Sequence, residues 1–246
     1  MSTMNAPVPV SLTPIGVVRS PFREKFGVPR QAGLAPAAEA RVELYPPYDE
    51  DATVAGLEAF SHLWLIFHFH HTEAQGWRAT VRPPRLGGNA KVGVYASRSP
   101  FRPNPLGLSA VELLGIERQG GRLSLRIAGA DLVDGTPVFD IKPYLTYADS
   151  LPDARAGYAD EAPMATCEVR FSPEAQVALA ARRRSYPQLE QLIVQVLQAD
   201  PRPAYRGSAA QARRYGMRLL DFDLRWRVEE DGVVVEALAD LDGPAS

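Results

Sequence analysis

The sequence predicts a mainly β protein: a closed or strongly curled β structure over the first two-thirds, then a small α+β unit. Three observations carry this. Before residue 150 the chain is cut by turn residues into many short alternating runs, with room for only one or two helical turns. Leu151 to Met164 is rich in Pro, Asp and Ala without periodicity and reads as a linker. Beyond it, a capped helix start and a helical stripe lie between alternating segments, so the rhythm changes. The expected boundaries are 12–150 for the β unit, 151–164 for the linker and 165–242 for the α+β unit.

Met1 to Ser11, broken by Pro7 and Pro9, reads as a loose leader. Thr13 to Arg19 forms the first strand and runs into a long loop carrying Pro21, Arg23, Lys25, Gly27, Pro29, Arg30 and Gly33. Arg41 to Tyr45 alternates and is stopped by Pro46 and Pro47, and Asp49 to Phe60 allows one or two helical turns. In His62 to His71, Leu63, Leu65, Phe67 and Phe69 oppose His62, Trp64, Ile66, His68 and His70, as in a central two-sided strand. Ser109 to Ile116 and Leu123 to Ile127 form a hairpin turned by Gly120 and Gly121. Asp131 to Tyr144 mixes turn residues with a short apolar strand.

In the second unit, Cys167, Val169 and Phe171 alternate with charge, and Ser172 caps a helix with Pro173 at its first position. Leu189, Leu192, Ile193, Val196 and Leu197 make a helical stripe that stops before Pro201. Leu220 to Val228 alternates, and Asp231-Gly232 turns into Val233 to Leu238.

The stretch KVGVYASRSPFRPNPLGL, Lys91 to Leu108, organises the first unit. Val92, Val94 and Ala96 alternate with Gly93, Tyr95 and Ser97 as in a strand packed on one face. Pro100, Pro103 and Pro105 then pin φ and remove donors, leaving a stiff loop with Arg98, Arg102 and free carbonyls. A loop that has already lost its entropy suits a binding surface, and it equally suits a plain proline-rich connection.

The 246 residues are 46% apolar and 23% charged, which provides for a sizeable core and excludes global disorder. No apolar run reaches the length of a membrane span, and the N-terminus lacks a signal-peptide pattern. Cys167 is the only cysteine, so internal disulfides and thiolate clusters are excluded, and cytoplasm is the expected location. The net charge of −2 does not announce a nucleic-acid binder, but its distribution is uneven. Arg19, Arg23, Lys25 and Arg30 form one basic stretch. Arg78, Arg82, Arg85, Lys91, Arg98 and Arg102 form another without an intervening acid.

The four histidines, His62, His68, His70 and His71, fall in one decade. On a strand, His62 lies roughly 20 Å from His68 (at about 3.3 Å per residue), so three-point metal chelation is unfavourable and no metal is expected. Histidines lining a ligand pocket at the strand's end fit better. Asp140, Lys142 and Tyr144 share one side if extended. A carboxylate, an ammonium and a phenol there suit proton acceptance and orientation, and equally a solvent-facing ion pair. No GxSxG, P-loop or GxGxxG is present.

Four segments together carry a resemblance: GVYASRSPFRPNPLGLS (Gly93 to Ser109), IGVVRSPFREKFGVPRQAGL (Ile15 to Leu34), FSHLWLIFHFHHT (Phe60 to Thr72) and DLVDGTPVFDIKPYLTYADSLPDA (Asp131 to Ala154). In that order and density they resemble the TsaA-like, or TrmO, family of tRNA methyltransferases. YGMRLLDFDLRWRV (Tyr215 to Val228) is similar to the extra C-terminal domain of bacterial members. The resemblance implies a β-barrel that is not of the Rossmann methyltransferase type, and a homodimer with S-adenosyl-L-methionine near the subunit boundary. It also implies a substrate, N6-threonylcarbamoyladenosine at position 37 in the tRNA anticodon loop. By likeness the cofactor meets Pro29, Arg30, Gln31, His70, His71, Arg98, Leu108, Asp134, Gly135, Thr136 and Pro137. Asp140 or Asp134 is then the candidate proton acceptor, with Lys142 and Tyr144 orienting oxygens. Arg182, Arg183, Arg184, Arg213 and Arg214 are expected to extend the RNA surface. The rival readings are a non-catalytic RNA- or nucleotide-binding β-barrel and, further off, a metal-dependent hydrolase.

Overall fold

A computed structural model describes residues 8–161, 167–199, 214–229 and 231–241. Residues 1–7 of the expected leader, 162–164 of the expected linker and Arg213 lie outside these. The first part holds β1 (Gly16–Arg19), β2 (Ala40–Leu44), a single turn α1 (Asp51–Val54), β3 (His62–His68), β4 (Thr80–Val81) and β5 (Val92–Gly93). Then come β6 (Leu106–Gln119), β7 (Arg122–Ala128), β8 (Pro137–Pro143) and a second turn α2 (Thr146–Asp149). Six of the strands close into a barrel in the order β1-β2-β7-β6-β3-β8, with Gly16 of β1 opposite Val138 of β8.

Strand alternation makes this barrel. Leu63, Leu65 and Phe67 of β3 point inward with Val18, Val42, Leu44, Val111, Leu123, Leu125, Ile127 and Val138, all buried. At about 1.5–3 kcal/mol for each large side chain removed from water, this lining is the main force closing the ring. The complementary residues of β3, His62, Trp64, Ile66 and His68, point outward. Gly120 and Gly121 turn the β6–β7 hairpin, each with positive φ.

One strand is shorter than expected. The alternation of Val92 to Ser97 yields only the two-residue β5, followed by a 3-10 turn over Val94–Ala96. The carbonyls that a partner strand would use are taken locally. Arg102 donates to Val94 O at 3.2 Å and Ser97 O at 2.7 Å, and Ser97 Oγ donates to Val94 O at 2.8 Å. Two of the loop's supposedly free carbonyls are therefore already occupied. The ladder resumes immediately after Pro105, so β6 is longer than its expected Ser109–Ile116 core.

The second part comprises β9 (Glu168–Phe171), α3 (Pro173–Arg182), α4 (Leu189–Gln198), β10 (Arg214–Leu219), β11 (Phe222–Val228) and β12 (Gly232–Asp240). Its sheet runs β10-β11-β12-β9, with β9 parallel to β12. Ser172 caps α3 by accepting from Ala175 N at 3.1 Å. Leu189, Leu192, Ile193, Val196 and Leu197 of α4 are buried against the sheet's core.

The β1–β2 loop belongs as much to this second core as to the barrel. Phe22, Ala35, Ala37 and Ala38 are buried in the same cluster as Leu219, Phe222 and Trp226. Phe22 bridges Leu219, and Leu220 N donates to Pro21 O at 2.7 Å. Gly27, at φ 92°, leaves room where a Cβ would meet Met217 Sδ.

Gly107 is another position where a side chain is excluded. It faces Phe67 across the β3–β6 ladder, and a Cβ there would come within 2.2 Å of the Phe67 ring. Gly107→Ala is expected to lower the unfolding free energy by about 1–3 kcal/mol through this overpacking, read from urea denaturation.

Candidate functional site

Three connections meet at the barrel mouth where β1 and β3 end and β8 begins: residues 20–39, 69–105 and 129–136. Between them lies a cleft of about 210 Å³. Its apolar lining comes from Val28, Phe67, Phe69, Pro100, Leu132 and Val133. The polar lining is Lys25, His68, His70, His71, Thr72, Asp131 and Thr136. Segments more than a hundred residues apart thus converge on one cavity.

Each side chain has an identifiable support. Phe67 and Phe69 meet edge to face at 5.2 Å between centroids. Thr72 and Thr136 are buried and tied to Phe69 O and Val133 O at 3.0 and 2.7 Å. The ring centroids of His70 and His71 are 4.2 Å apart, and Lys25 Nζ donates to His71 O at 2.6 Å. Burial, and then the neighbouring His71, hold the His70 pKa below its ordinary value. His68 lies 3.3 Å from Glu73 and beside Phe139. Among the described residues no group of three or more His, Cys, Asp or Glu is arranged to hold a metal ion.

Asp131 is the functional candidate that the sequence reading passed over as a turn residue. It is partly buried, lines the cleft and accepts from Ser109 Oγ at 2.6 Å. Burial pushes its carboxyl pKa up, opposed by the Ser109 hydrogen bond and the charge of Arg98. The available signal was a charged residue in a run, AGADLV, otherwise made of small and apolar residues.

Of the expected cofactor residues, His70, His71 and Thr136 line the cleft. Arg98 reaches across to Gln31 Oε1, joining the proline-stiffened loop to the β1–β2 loop, with Pro29 buried beside the exposed Arg30. Asp134 acts as a staple: it accepts from Ser20 N at 3.0 Å and from Arg23 at 2.5 Å. Gly135, at φ 78°, donates to Val18 O, and Pro137 pairs with Val17. These three position the turn that presents Thr136.

The remaining expectations lie elsewhere. Leu108 faces outward opposite Ile66. Asp140, Lys142 and Tyr144 also sit on the outer barrel face: Lys142 bridges Asp140 at 3.0 Å, and the Tyr144 ring lies tilted against Trp64 at 5.6 Å between centroids. The β3–β8 register sets this, pairing Asp140 with Ile66 and Lys142 with Trp64, both outward residues. In the second part, Arg182 is drawn into the fold, over the Phe222 ring at 5.3 Å and bonded to Asp240. Arg214 pairs with Glu236 at 3.0 Å, while Arg183 and Arg184 are exposed.

The combination defines a class: a closed antiparallel barrel with a small-molecule cleft at its mouth, built onto an α+β unit that holds one of the mouth loops. Comparison with known proteins makes the class specific. The tRNA-methyltransferase O N-terminal domain matches residues 17–150, and the TrmO C-terminal domain matches residues 164–241. The Escherichia coli K12 protein named tRNA (adenine(37)-N6)-methyltransferase is 53% identical over 91% of this chain and 95% of its own length. A Pseudomonas aeruginosa protein, RcsF, whose name describes an S-adenosylmethionine-dependent methyltransferase, is 50% identical over 88% of this chain and 91% of that one. A crystal structure of TrmO from Pseudomonas aeruginosa superposes with a TM-score of 0.77, at 39% identity over 94% of this chain and 99% of that one. The chain belongs to the TrmO family.

The lowered His70 pKa has a definite sign. Its neutral form is favoured by the fold, so stability present above the ordinary value near 6.5 is lost as pH falls from there toward the native value. Imidazole resonances followed by NMR should give His70 a midpoint below 6.5. His70→Gln should flatten the pH dependence of unfolding in that window.

Proposed function

We propose that this chain transfers a methyl group from S-adenosyl-L-methionine to N6 of the adenosine at position 37 of tRNA, with N6-threonylcarbamoyladenosine as the acceptor nucleoside. The observation that carries the reading is the convergence at one cleft of the mouth loops of a barrel that shares its family with named tRNA methyltransferases.

The cleft suits that cofactor. Its walls are largely apolar, and it offers a partly buried carboxylate and two aromatic rings to a ligand with net positive charge. Asp131 is then the counter-charge: burial makes ionising it costly, and a cation offsets that cost. Arg98 and Gln31, with Pro29 and Arg30 behind them, hold the rim where a carboxylate is recognised by charge-assisted bonds. His70, His71 and Thr136 contribute polar walls, and Asp134, Gly135 and Pro137 fix the turn beneath. When bound, S-adenosyl-L-methionine supplies an electrophilic methyl on a sulfonium. The protein's part is alignment of the acceptor nitrogen and removal of its proton.

Asp140 is proposed as the group that takes that proton, with Lys142 and Tyr144 orienting acceptor oxygens. Their position on the outer barrel face connects with a second proposal, a homodimer. Trp64, Ile66, Leu106, Leu108 and Phe139 make that face apolar, with Leu108 56% exposed. A second copy covering it would bring Asp140, Lys142, Tyr144 and Leu108 to the subunit boundary, where the site would be completed. The proposed organisation is a cofactor-binding barrel at 12–150, a linker at 151–164 and an RNA-assisting unit at 165–242, in the cytoplasm.

Purified protein incubated with methyl-labelled S-adenosyl-L-methionine and tRNA carrying or lacking the threonylcarbamoyl group should place label on nucleoside 37 of the modified tRNA. Absence of label from every tRNA would reject the activity. Asp131→Asn should weaken binding of the cationic cofactor about tenfold relative to the uncharged-sulfur product S-adenosylhomocysteine, a shift of about 1.4 kcal/mol. Thermal stability should not fall, because the buried charge is removed while Ser109 keeps its acceptor. Equal losses for both ligands in calorimetry would remove the counter-charge role.

A further inference from the structure

The β3–β6 connection is large for a barrel loop, and its composition is one-sided. Between Glu73 and Glu112 the chain contains no Asp or Glu, yet it carries Arg78, Arg82, Arg85, Lys91, Arg98 and Arg102. It is also folded rather than loose. β4 pairs with β5, Val94 N donates to Ala79 O at 3.0 Å, and Arg78 N donates to Phe101 O at 3.1 Å. Two of the arginines build the arm from within: Arg102 holds the Val94 and Ser97 carbonyls, and Arg78 lies 4.2 Å over the Phe101 ring. Arg85 is turned to Glu161 O, and Arg98 to Gln31. Arg82 and Lys91 are exposed and have no partner among the described residues.

On this frame stand two aromatic rings that the fold does not bury. Trp77 is 60% exposed and Tyr95 is 77% exposed, with the Arg102 guanidinium 5.8 Å from the Tyr95 ring centroid. The Ala79–Val94 and Thr80–Gly93 pairings bring together the segments that carry them, Trp77 just before β4 and Tyr95 in the turn just after β5. The arm is continuous with the site, since Pro100 from the same segment lines the cleft. Aromatic rings interleaved with cations, on a segment without acids and fixed by a rigid frame, match the way unpaired nucleotides are held: phosphates on the cations and bases stacked on the rings. A duplex stem offers no unstacked base and gains nothing from the rings.

We propose that the 74–105 arm is an RNA-loop docking platform. On it Trp77 and Tyr95 stack the unpaired anticodon-loop bases flanking the target nucleotide, while Arg82 and Lys91 hold the backbone. This rests on the tRNA reading above and names the residues that present the loop to the cleft. Neither ring touches the cofactor cleft, so both are positioning residues for the RNA.

The test is fluorescence anisotropy of a labelled anticodon stem-loop RNA with full-length protein, in parallel with calorimetry of S-adenosyl-L-methionine and sedimentation of the protein alone. Tyr95→Ala and Trp77→Ala should each weaken stem-loop binding on the order of tenfold, the usual effect of losing one stacking ring. Cofactor affinity and sedimentation should be unchanged, and Tyr95→Phe should restore RNA binding. A matched hairpin with a fully paired stem and a minimal tetraloop should not distinguish the variants. Unchanged stem-loop affinity in both alanine variants overturns the platform. So does a change in oligomeric state that accounts for the loss, which would assign the rings to an interface between copies. Binding without methylation by the wild-type protein would reject the activity and leave the platform standing. Methylation by the wild type with unaffected variants would reject the platform alone.

Discussion

The burial of Phe22 between the barrel and the second sheet is the constraint on which the working end of the molecule depends. Its side chain is 1% exposed in a cluster with Leu219, Phe222 and Trp226, although its neighbours Ser20 and Arg23 are bonded to the barrel through Asp134. One short segment therefore belongs to two structures at once. The backbone bond from Leu220 to Pro21, the Glu24 carboxylate on Arg218 N and the Phe26–Trp226 stack at 5.9 Å extend the attachment. Lys25, Val28 and Gln31 are held over the cleft by residues whose own anchors lie nearly two hundred positions away.

That arrangement separates the tasks of the motifs. The DGTP turn, expected as direct ligand contact, divides its labour: Asp134 pins the first loop, Gly135 supplies the turn and Thr136 alone reaches the cleft. The proline-rich stretch divides likewise. Arg102 spends its hydrogen bonds internally, which frees Arg98 to cross to Gln31 and leaves Tyr95 standing in solvent. Rigidity here comes from a guanidinium folded onto carbonyls as much as from prolines.

Much of this was legible from residues alone. Period-two alternation located the barrel strands, because an inward side chain must be apolar and an outward one need not be. The Ser172-Pro173 cap and the Leu189 stripe gave both helices of the second unit. What stayed hidden is non-local. Alternation could not reveal that Val94 and Ser97 would lose their carbonyls to Arg102, so β5 was expected to be longer. Nor could it say that Asp140 and Lys142 face outward, since that follows from register against β3 across a bulge between Ile66 and Phe67. Asp131 was missed because its burial arises only when Ser109 and the β1–β2 loop close around it. Sequence rhythm placed a boundary at residue 151, yet Phe22, Ala35, Ala37 and Ala38 pack with the core of the second part.

The stacked series Phe26, Trp226 and Tyr215 has a consequence for how the family's architecture can be cut. A chain shortened to the barrel would keep every inward-facing strand residue and so retain its cylinder. It would nonetheless strip the underside of the first mouth loop, exposing two phenylalanines to water. Such a fragment would be a vessel with an unmoored rim: intact in spectroscopic strand content, prone to self-association through the stripped aromatics, and lax in holding any ligand that needs Lys25, Val28 and Gln31 in place.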